Sequence, residues 1–511
     1  MERSSNNSPT GTHPVLTCAE AKAWEQALLT DEAAEWSTME QAGQALGETV
    51  LEDFKEIGGF PAAGRILVLV GKGHNGGDAL LAARAIAMKV RETRVAVVLC
   101  FGALGLRPLA GRALDRLKAE ASDRVTLLSI EDALGTDAAY ALCLDGIFGF
   151  QFRAPMDEAT AALLARINAY EAIQFRAAVD LPSGVGETNA TTIFRADFTY
   201  ATGIVKRPVL SPRVTSSVGR LRYLDLGFFT SSAPAANEQV LTSSVLAPLV
   251  RLRSAQTDKR TFGHVLVVGG SRSYPGAVVL ATRAALRSGA GLVSAFVPAS
   301  LAPEYAAAHP EAMWVGCPET PKGGLAAAAV DLIRERLPRA SALLVGPGMS
   351  AEPEVLATIQ AIVRNTNNLP VVLDADALRA EIVDLVKDRP FIGTPHAGEF
   401  ERIAPKLFNG GKFIAPCGVL VLKGPLTRVT DGNVIYHSPF GGPVLARGGS
   451  GDILAGLIGG LLAQQPGQPL LAAERGVVWH GRAADLLART HGQVAVEISE
   501  LLNQLGPALH P

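Results

Sequence analysis

The sequence predicts an α/β protein made of two three-layer domains with mostly parallel sheets. Three observations predict it. Apolar runs of strand length recur along the 511 residues, each followed by a glycine-rich or polar turn and then a helix-like stretch. The same plan of strand, glycine turn and helix opens each half of the chain. The strands are apolar throughout rather than alternating, which implies sheets covered on both faces and hence parallel pairing.

In chain order, residues 16–54 read as two amphipathic, alanine-rich helices. Arg65–Val70 is a strand, 71–78 a glycine turn, Ala79–Lys89 a helix and Val95–Leu99 the next strand, the opening of a βαβ unit. Tyr140–Leu144 and Ala177–Asp180 continue the pattern. Thr230–Glu238, small and polar, suits a linker. The domains are therefore expected at 1–229 and 246–511, with the link over 230–245. The second half opens with strand His264–Val268, glycine turn 269–276 and helix Ala277–Ser288. Strands Ala342–Val345, Val371–Leu373, Phe391–Ile392 and Gly418–Leu422 follow, with helices over Pro353–Asn365 and Ile453–Ala463.

Composition narrows the function classes. Lys and Arg number 47 against 49 Asp and Glu, a net charge of −2. A nucleic-acid binder held by phosphate contacts would carry a basic excess. With 48% hydrophobic and 19% charged residues, both halves can bury a core. The 52 glycines exceed the usual share of about 7% without collagen periodicity, which points to tight turns and close backbone approaches to ligands. Five scattered cysteines with no Cys-x-x-Cys pair argue against a disulfide framework or a structural zinc site. Residues 1–14 hold no apolar signal core, and apolar stretches such as Ile453–Ala463 fall short of the roughly 20 residues that span a bilayer. The chain reads as soluble and cytoplasmic, with Met1–His13 expected to be disordered. Alanine-rich helix faces suggest a homo-oligomer.

The second half carries the sharper chemistry. Ala446–Gly456 reads ARGGSGDILAG, a glycine-rich turn ahead of a helix. Free backbone N–H groups and the positive end of the helix dipole favour phosphate oxygens there. Asp452 then has two readings: a base that takes the proton of an attacking hydroxyl, or a plain N-cap. Three more turns follow strands: Gly346–Gly348; Thr394–Glu399, with His396; and Lys423–Thr427, with an ammonium and a hydroxyl. Ligands bind at the C-terminal ends of strands in open α/β sheets, and four such turns should converge on one edge.

From about Lys259 to Gln465 the chain resembles the ribokinase-like ADP-dependent NAD(P)H-hydrate dehydratases. The segments GHVLVVGGSRSYPGA, LRSGAGLV, GPG, VLDADAL, TPHAGEFER, KGPLT and GGSGDILAG follow in the family's order. The resemblance implies a ribokinase-like second domain in which Ala277, Gly348, His396 and Asp452 contact the hydrated nicotinamide nucleotide. It implies Lys423, Gly424, Pro425, Leu426, Thr427 and Gly451 at the adenine nucleotide, and Asp452 as general base. The implied reaction restores NADH or NADPH from NADH hydrate or NADPH hydrate while ADP, accompanied by Mg²⁺, becomes AMP and phosphate.

In the first half, Gly71-x-Gly-x-x-Gly76 matches the dinucleotide fingerprint of Rossmann-like domains. The carboxylate normally about 20 residues on is missing, since the second strand runs into Leu99-Cys100-Phe101. A redox dehydrogenase is disfavoured. Asn75, Asp78, Asp145, Asp180 and Ser183 follow successive strands. They read either as an oxygen-rich site for a weakly hydrated monovalent cation or as ordinary caps and turn residues.

Residues 16–223 resemble NAD(P)H-hydrate epimerases through TMEQAG at 38–43, HNGGD at 74–78, DGIFG at 145–149 and DLPSG at 180–184. The resemblance implies K⁺ on Asn75, Asp145 and Ser183. It implies substrate contacts at His74, Asn75, Gly76, Gly77 and Asp78, at Gly149, Phe150, Gln151, Phe152, Arg153, Ala154 and Pro155, and at Asp180, the acid–base residue. Departures are His74 for the family's first Asn, Ala79 for its Gly, Phe150-Gln151 within its Gly-Thr-Gly, and a replaced segment at Val185–Asn189. Two other readings compete: a silent first domain beside an active dehydratase, and a ribokinase-like small-molecule kinase.

Overall fold

Strand polarity organises the chain. The computed structural model describes residues 11–135, 138–230 and 232–510. Residues 13–236 with 488–493 cluster into one compact unit, and residues 11–12, 237–487 and 494–510 into another.

The first unit runs β1 (Thr12–Leu16), α1 (Cys18–Leu28), α2 (Glu32–Phe54), β2 (Arg65–Val70), α3 (His74–Lys89), β3 (Arg94–Leu99), α4 (Pro108–Ala121), β4 (Val125–Leu127), α5 (Ile130–Ala133), β5 (Tyr140–Gly146), α6 (Glu158–Ala169), β6 (Ile173–Val179), β7 (Phe198–Thr202), β8 (Val205–Lys206), α7 (Thr215–Val218) and β9 (Arg220–Leu224). The order β4-β3-β2-β5-β6-β7-β9 is parallel throughout, with Val68 opposite both Val97 and Leu144. Both faces are apolar, as all-apolar strands require. Ile66, Val68 and Val70 pack with Trp36, Leu46, Phe54 and Leu80 on one side, Leu67 and Leu69 with Tyr140, Leu164 and Ile173 on the other.

The two N-terminal helices form as expected, with Thr17 and Glu20 making a capping box on α1 and Asp31 capping α2. The expected disorder of residues 1–10 lies outside the described residues. Residues 11–13 correct the rest of it, since β1 begins at Thr12, pairs with β8, and His13 Nδ1 bonds the Tyr223 hydroxyl at 2.7 Å. Helix α3 starts at His74 rather than Ala79, and two glycines of the fingerprint, Gly71 and Gly76, serve packing. A Cβ on Gly71 would lie 1.8 Å from the Ile147 carbonyl oxygen, and one on Gly76 2.6 Å from that of Gly71. The alanine-rich face of α3 is buried inside its own unit.

The second unit runs β10 (Glu238–Leu241), β11 (His264–Val268), α8 (Pro275–Arg287), β12 (Leu292–Pro298), α9 (Ala302–Ala308), β13 (Met313–Cys317), α10 (Ala329–Arg334), β14 (Ala342–Val345), α11 (Pro353–Arg364), β15 (Val371–Leu373), α12 (Ala380–Val383), β16 (Phe391–Gly393), α13 (Ala397–Leu407), the hairpin β17 (Phe408–Asn409) and β18 (Lys412–Phe413), β19 (Gly418–Leu422), β20 (Thr427–Thr430), β21 (Ile435–Ser438), α14 (Ser450–Gln464) and α15 (Pro469–His491). Strands follow the order β13-β12-β11-β14-β15-β16-β19-β20-β21-β10, and only β20 runs antiparallel to its neighbours. Leu266, Val268, Leu343 and Val345 pack against Ile359, Val363 and Ile403 on one face. Helix α14 covers the other, where Gly459 lets it approach Val265 and Leu344. No helix among the described residues is long and apolar enough to cross a membrane.

Candidate active sites

In the second unit β14, β15, β16 and β19 are parallel neighbours, so the turns after them share one edge of the sheet. The Lys423 backbone N–H donates to the Pro395 carbonyl at 2.9 Å, tying two of these turns together. Lys423 Nζ lies 3.1 Å from Asp374 Oδ1 and 3.8 Å from Glu399 Oε2. Thr394 Oγ1 donates to the same Asp374 oxygen at 2.6 Å. Burial alone would depress the Lys423 ammonium, but Asp374 and Glu399 outweigh it and hold it above its ordinary value.

Helix α14 begins with Gly449 as N-cap in the left-handed region, φ 95°, and no side chain caps it. Asp452 therefore sits inside the first turn and is not the cap. Burial pushes its carboxyl up to about 6, reinforced by Asp374 and opposed by Lys423. Gly451 keeps the approach open, since its missing Cβ would stand 3.3 Å from Lys423 Nζ. From α15, His480 Nε2 contacts the Ser450 carbonyl at 3.0 Å; because a carbonyl can only accept, Nε2 carries the proton. Burial pulls this imidazole down to about 4, so it is neutral at pH 7.

The remaining predicted residues join through intermediaries. Ser271 Oγ donates to the Gly348 carbonyl at 2.7 Å, and a Cβ on Gly348 would stand 2.9 Å from that of Ala277. Next along the chain, the Ser350 N–H donates to Asp376 Oδ2 at 2.9 Å, and Asp376 adds to the negative field on Asp452. His396 caps α13: its Nδ1 accepts the Glu399 N–H, and the His396 N–H in turn donates to the Glu399 carboxylate at 2.8 Å. Gly424, Pro425 and Leu426 form the turn between antiparallel β19 and β20, with Thr427 opening β20.

In the first unit a cavity of about 620 Å³ opens at the C-terminal ends of β2, β5 and β6. His74, Asn75, Asp78, Gly149, Phe150, Gln151, Phe152, Arg153, Pro155 and Asp180 line it; Gly76, Gly77 and Ala154 do not. Gly77 is spent on packing, since a Cβ there would meet Met39 Sδ at 2.6 Å. His74 lies 3.5 Å from Glu35, which also lines the cavity. Asp180 holds a positive φ of 63°, and its Oδ1 takes a 2.7 Å ion pair from Lys206 Nζ. Lys206 is almost wholly buried, reaches Glu25 at 3.5 Å and lies 5.0 Å from the centre of the Phe150 ring. The departing Phe150 thus braces this ammonium through a cation–π contact. Glu187, in the replaced segment, accepts the Cys18 N–H at 2.8 Å.

Behind the cavity Ser183 donates to Asp145 through Oγ at 2.6 Å and through its N–H at 2.7 Å. Ser183 Oγ accepts the Phe148 N–H, while Asn75 Nδ2 donates to the Phe148 carbonyl. Asn75, Asp145 and Ser183 therefore meet around one stretch of backbone. Burial raises the Asp145 carboxyl to about 6, and it has no cationic side-chain partner among the described residues.

Sequence reasoning missed Lys206, Glu25 and His480, and named Asp374, Asp376 and Thr394 only inside quoted motifs. The rule of polar groups after strands finds Asp374. Nothing local singles out Lys206 or Glu25.

Comparison with known proteins follows the same division. The profile described as NAD(P)H-hydrate dehydratase matches residues 265–506, and that of the YjeF-related protein N-terminus matches residues 36–208. The bifunctional NAD(P)H-hydrate repair enzyme of Moorella thermoacetica is 35% identical over 91% of this chain and 91% of its own. That of Gloeobacter violaceus is 34% identical over 97% of each chain. A solved ADP/ATP-dependent NAD(P)H-hydrate dehydratase from Bacillus subtilis, co-crystallised with ATP and Mg²⁺, is 28% identical over 52% of this chain and 96% of its own, with a TM-score of 0.43.

Proposed function

The chain belongs to the family of bifunctional NAD(P)H-hydrate repair enzymes, and on that premise we propose that its two units repair one damaged cofactor in sequence. The first interconverts the R and S epimers of NADH hydrate and NADPH hydrate. The second dehydrates the S epimer, with ADP becoming AMP and phosphate. The observation that carries this reading is Asp452 in the first turn of α14, within the field of Lys423 and Asp374.

Hydroxide leaves poorly and phosphate leaves well. Asp452 accepts the proton of the ring hydroxyl as that oxygen takes the terminal phosphoryl group of ADP, and AMP departs. The C–O bond then breaks to release phosphate, a proton leaves the neighbouring ring carbon, and the dihydronicotinamide double bond returns. Lys423 and the free N–H groups at the start of α14 hold the phosphates. Gly424, Pro425, Leu426 and Thr427 flank the adenine nucleotide; Ala277, Gly348 and His396 flank the hydrated nicotinamide nucleotide. Mg²⁺ would neutralise phosphate charge. Asp376, which has no ion pair among the described residues, fits as its oxygen ligand.

In the first unit the cavity volume suits a substantial part of a nucleotide. Asp145, buried without a cationic partner, with the oxygens of Ser183 and Asn75, fits K⁺. His74 to Asp78, Gly149 to Pro155 and Asp180 line or border the substrate's path. Five free thiols suit a reducing compartment, and we place the protein in the cytoplasm.

The test is ADP plus chemically hydrated NADH. Recovery of dihydronicotinamide absorbance with release of AMP and phosphate is expected. Phosphorylation of an unrelated alcohol without recovery favours the kinase reading, and R epimer that keeps its configuration favours a silent first unit.

A further inference from the structure

Among the groups lining the cavity of the first unit, three carboxylates gather around a single buried ammonium. Lys206 gives its charge to Asp180 at 2.7 Å and to Glu25 at 3.5 Å, and a further bond to the Thr202 carbonyl at 3.3 Å. Asp78, from the first turns of α3, lines the same cavity and has no hydrogen-bond or ion-pair partner among the described residues. It faces Glu25 from α1, Asp180 from the turn after β6 and Lys206 from β8. One ammonium satisfies at most two of the three groups at close range, and Asp78 is a half-buried carboxylate on the cavity wall with no donor to stabilise its charge. Burial and the two neighbouring carboxylates push the Asp78 carboxyl well above its ordinary value, against the weaker pull of Lys206. Burial likewise raises Glu25.

We propose that Asp78 is a second catalytic residue of the epimerisation: Asp180, ion-paired to Lys206 at 2.7 Å, is the base, and the unpartnered Asp78 carboxyl is the proton donor. The inference rests on the epimerase reading and assigns the two proton-transfer roles within it. The reacting carbon bears a hydroxyl and the ring nitrogen. Asp78 gives its proton to that hydroxyl, the C–O bond breaks with loss of water, and the nitrogen lone pair forms a C=N bond. Water then adds to the opposite face, its proton passes to Asp180, and the lone pair returns to nitrogen. Proton return from Asp180 to Asp78 through solvent closes the cycle, with no net uptake of atoms or electrons.

The experiment uses Asp78→Asn in the full chain, with three readouts. Epimerisation of purified R epimer should fall by about 10² or more. Wild-type epimerisation should decline as pH rises through the Asp78 pKa, because the acid must hold its proton, and the variant's residual rate should lack that limb. Infrared difference spectra of wild type minus variant at neutral pH should show an un-ionised carboxyl band. Asn copies the protonated acid, so the variant should melt at or above wild type; a lower melting temperature assigns any lost activity to structure and overturns the proposal. It is also overturned by an unchanged epimerisation rate in Asp78→Asn, or by a carboxylate band in place of the acid band. If wild type itself fails to interconvert the epimers, the epimerase reading falls and Asp78's catalytic role with it, whereas an active wild type with an equally active variant sinks only the proposal.

Discussion

Asp452→Asn should make the protein more stable and the dehydratase nearly inactive. In the native state burial and the Asp374 carboxylate raise Asp452 from the ordinary 3.8 to about 6, with Lys423 offsetting only part. That gap corresponds to about 3 kcal/mol, at 1.36 kcal/mol for each tenfold change in proton affinity. Partial exposure of the side chain screens it to about 1–2 kcal/mol. The sign follows from linkage. Between about 4 and about 6 the native state binds more protons than the unfolded state, so this group's contribution falls as pH rises and is a constant penalty above about 6. Asn mimics the neutral acid and removes the penalty. Urea unfolding of the second unit should therefore show the variant ahead by about 1–2 kcal/mol near pH 8, with the difference shrinking toward pH 4. Lys423 stays paired through Asp374 at 3.1 Å, so no orphaned cation offsets the gain. Dehydration should fall about 10²-fold or more, and the wild-type rate should decline below about pH 6 as the base takes up its proton. A variant that is less stable at pH 8, or that turns over near the wild-type rate, would refute the reasoning that one repelled carboxylate serves as base.

Lys423→Met should weaken ADP binding at least about tenfold by titration calorimetry, with loss of a phosphate partner. It should also destabilise the second unit by about 3 kcal/mol, because Asp374 would be left buried without its counter-ion. Gly456→Ala should cost about 1–3 kcal/mol in urea unfolding. Its Cβ would lie 2.0 Å from the Ala281 carbonyl oxygen and force α14 away from α8. For Asp145→Asn, the melting temperature should be the same in KCl and NaCl of equal ionic strength, whereas wild type melts higher in KCl; a shared rise in both proteins would remove Asp145 from the cation site.

Much of the fold was legible because buried parallel strands leave an unmixed apolar signal. Arg65–Val70, His264–Val268, Ala342–Val345, Val371–Leu373 and Gly418–Leu422 form over the residues read from sequence. Helix starts were read too late at α3 and α14 for one physical reason. Glycines at 76, 77 and 451 look like turn residues, yet they lie in first helical turns where neighbouring atoms leave no room, or no free approach, for a side chain. Polar residues after strands were legible because parallel neighbours put strand ends on one edge. Lys206 was not: it sits in a two-residue strand between Val205 and Arg207, and only tertiary packing turns it toward Asp180. Glu25 lies on an amphipathic helix where any solvent-facing glutamate would look the same.

The two units share an electrostatic device that their sequences do not. Each sets one buried or half-buried lysine among three carboxylates: Lys206 with Asp180, Glu25 and Asp78, and Lys423 with Asp374, Glu399 and Asp452. In each the lysine bonds one aspartate at about 3 Å and stands farther from a glutamate, and the third carboxyl is left with its proton affinity raised. Coulomb attraction falls with distance, so the near aspartate is neutralised while the outlying one feels mostly burial and its acidic neighbours. The degree of that imbalance then sets the role. At about 6, Asp452 is ionised at neutral pH yet basic enough to take a hydroxyl proton. Asp78, with no donor of its own and pushed well above its ordinary value, is the group proposed to give a proton. One hydroxyl must lose a proton to accept phosphate and the other must gain one to leave as water. Unequal sharing of a single ammonium supplies both from the same residue types.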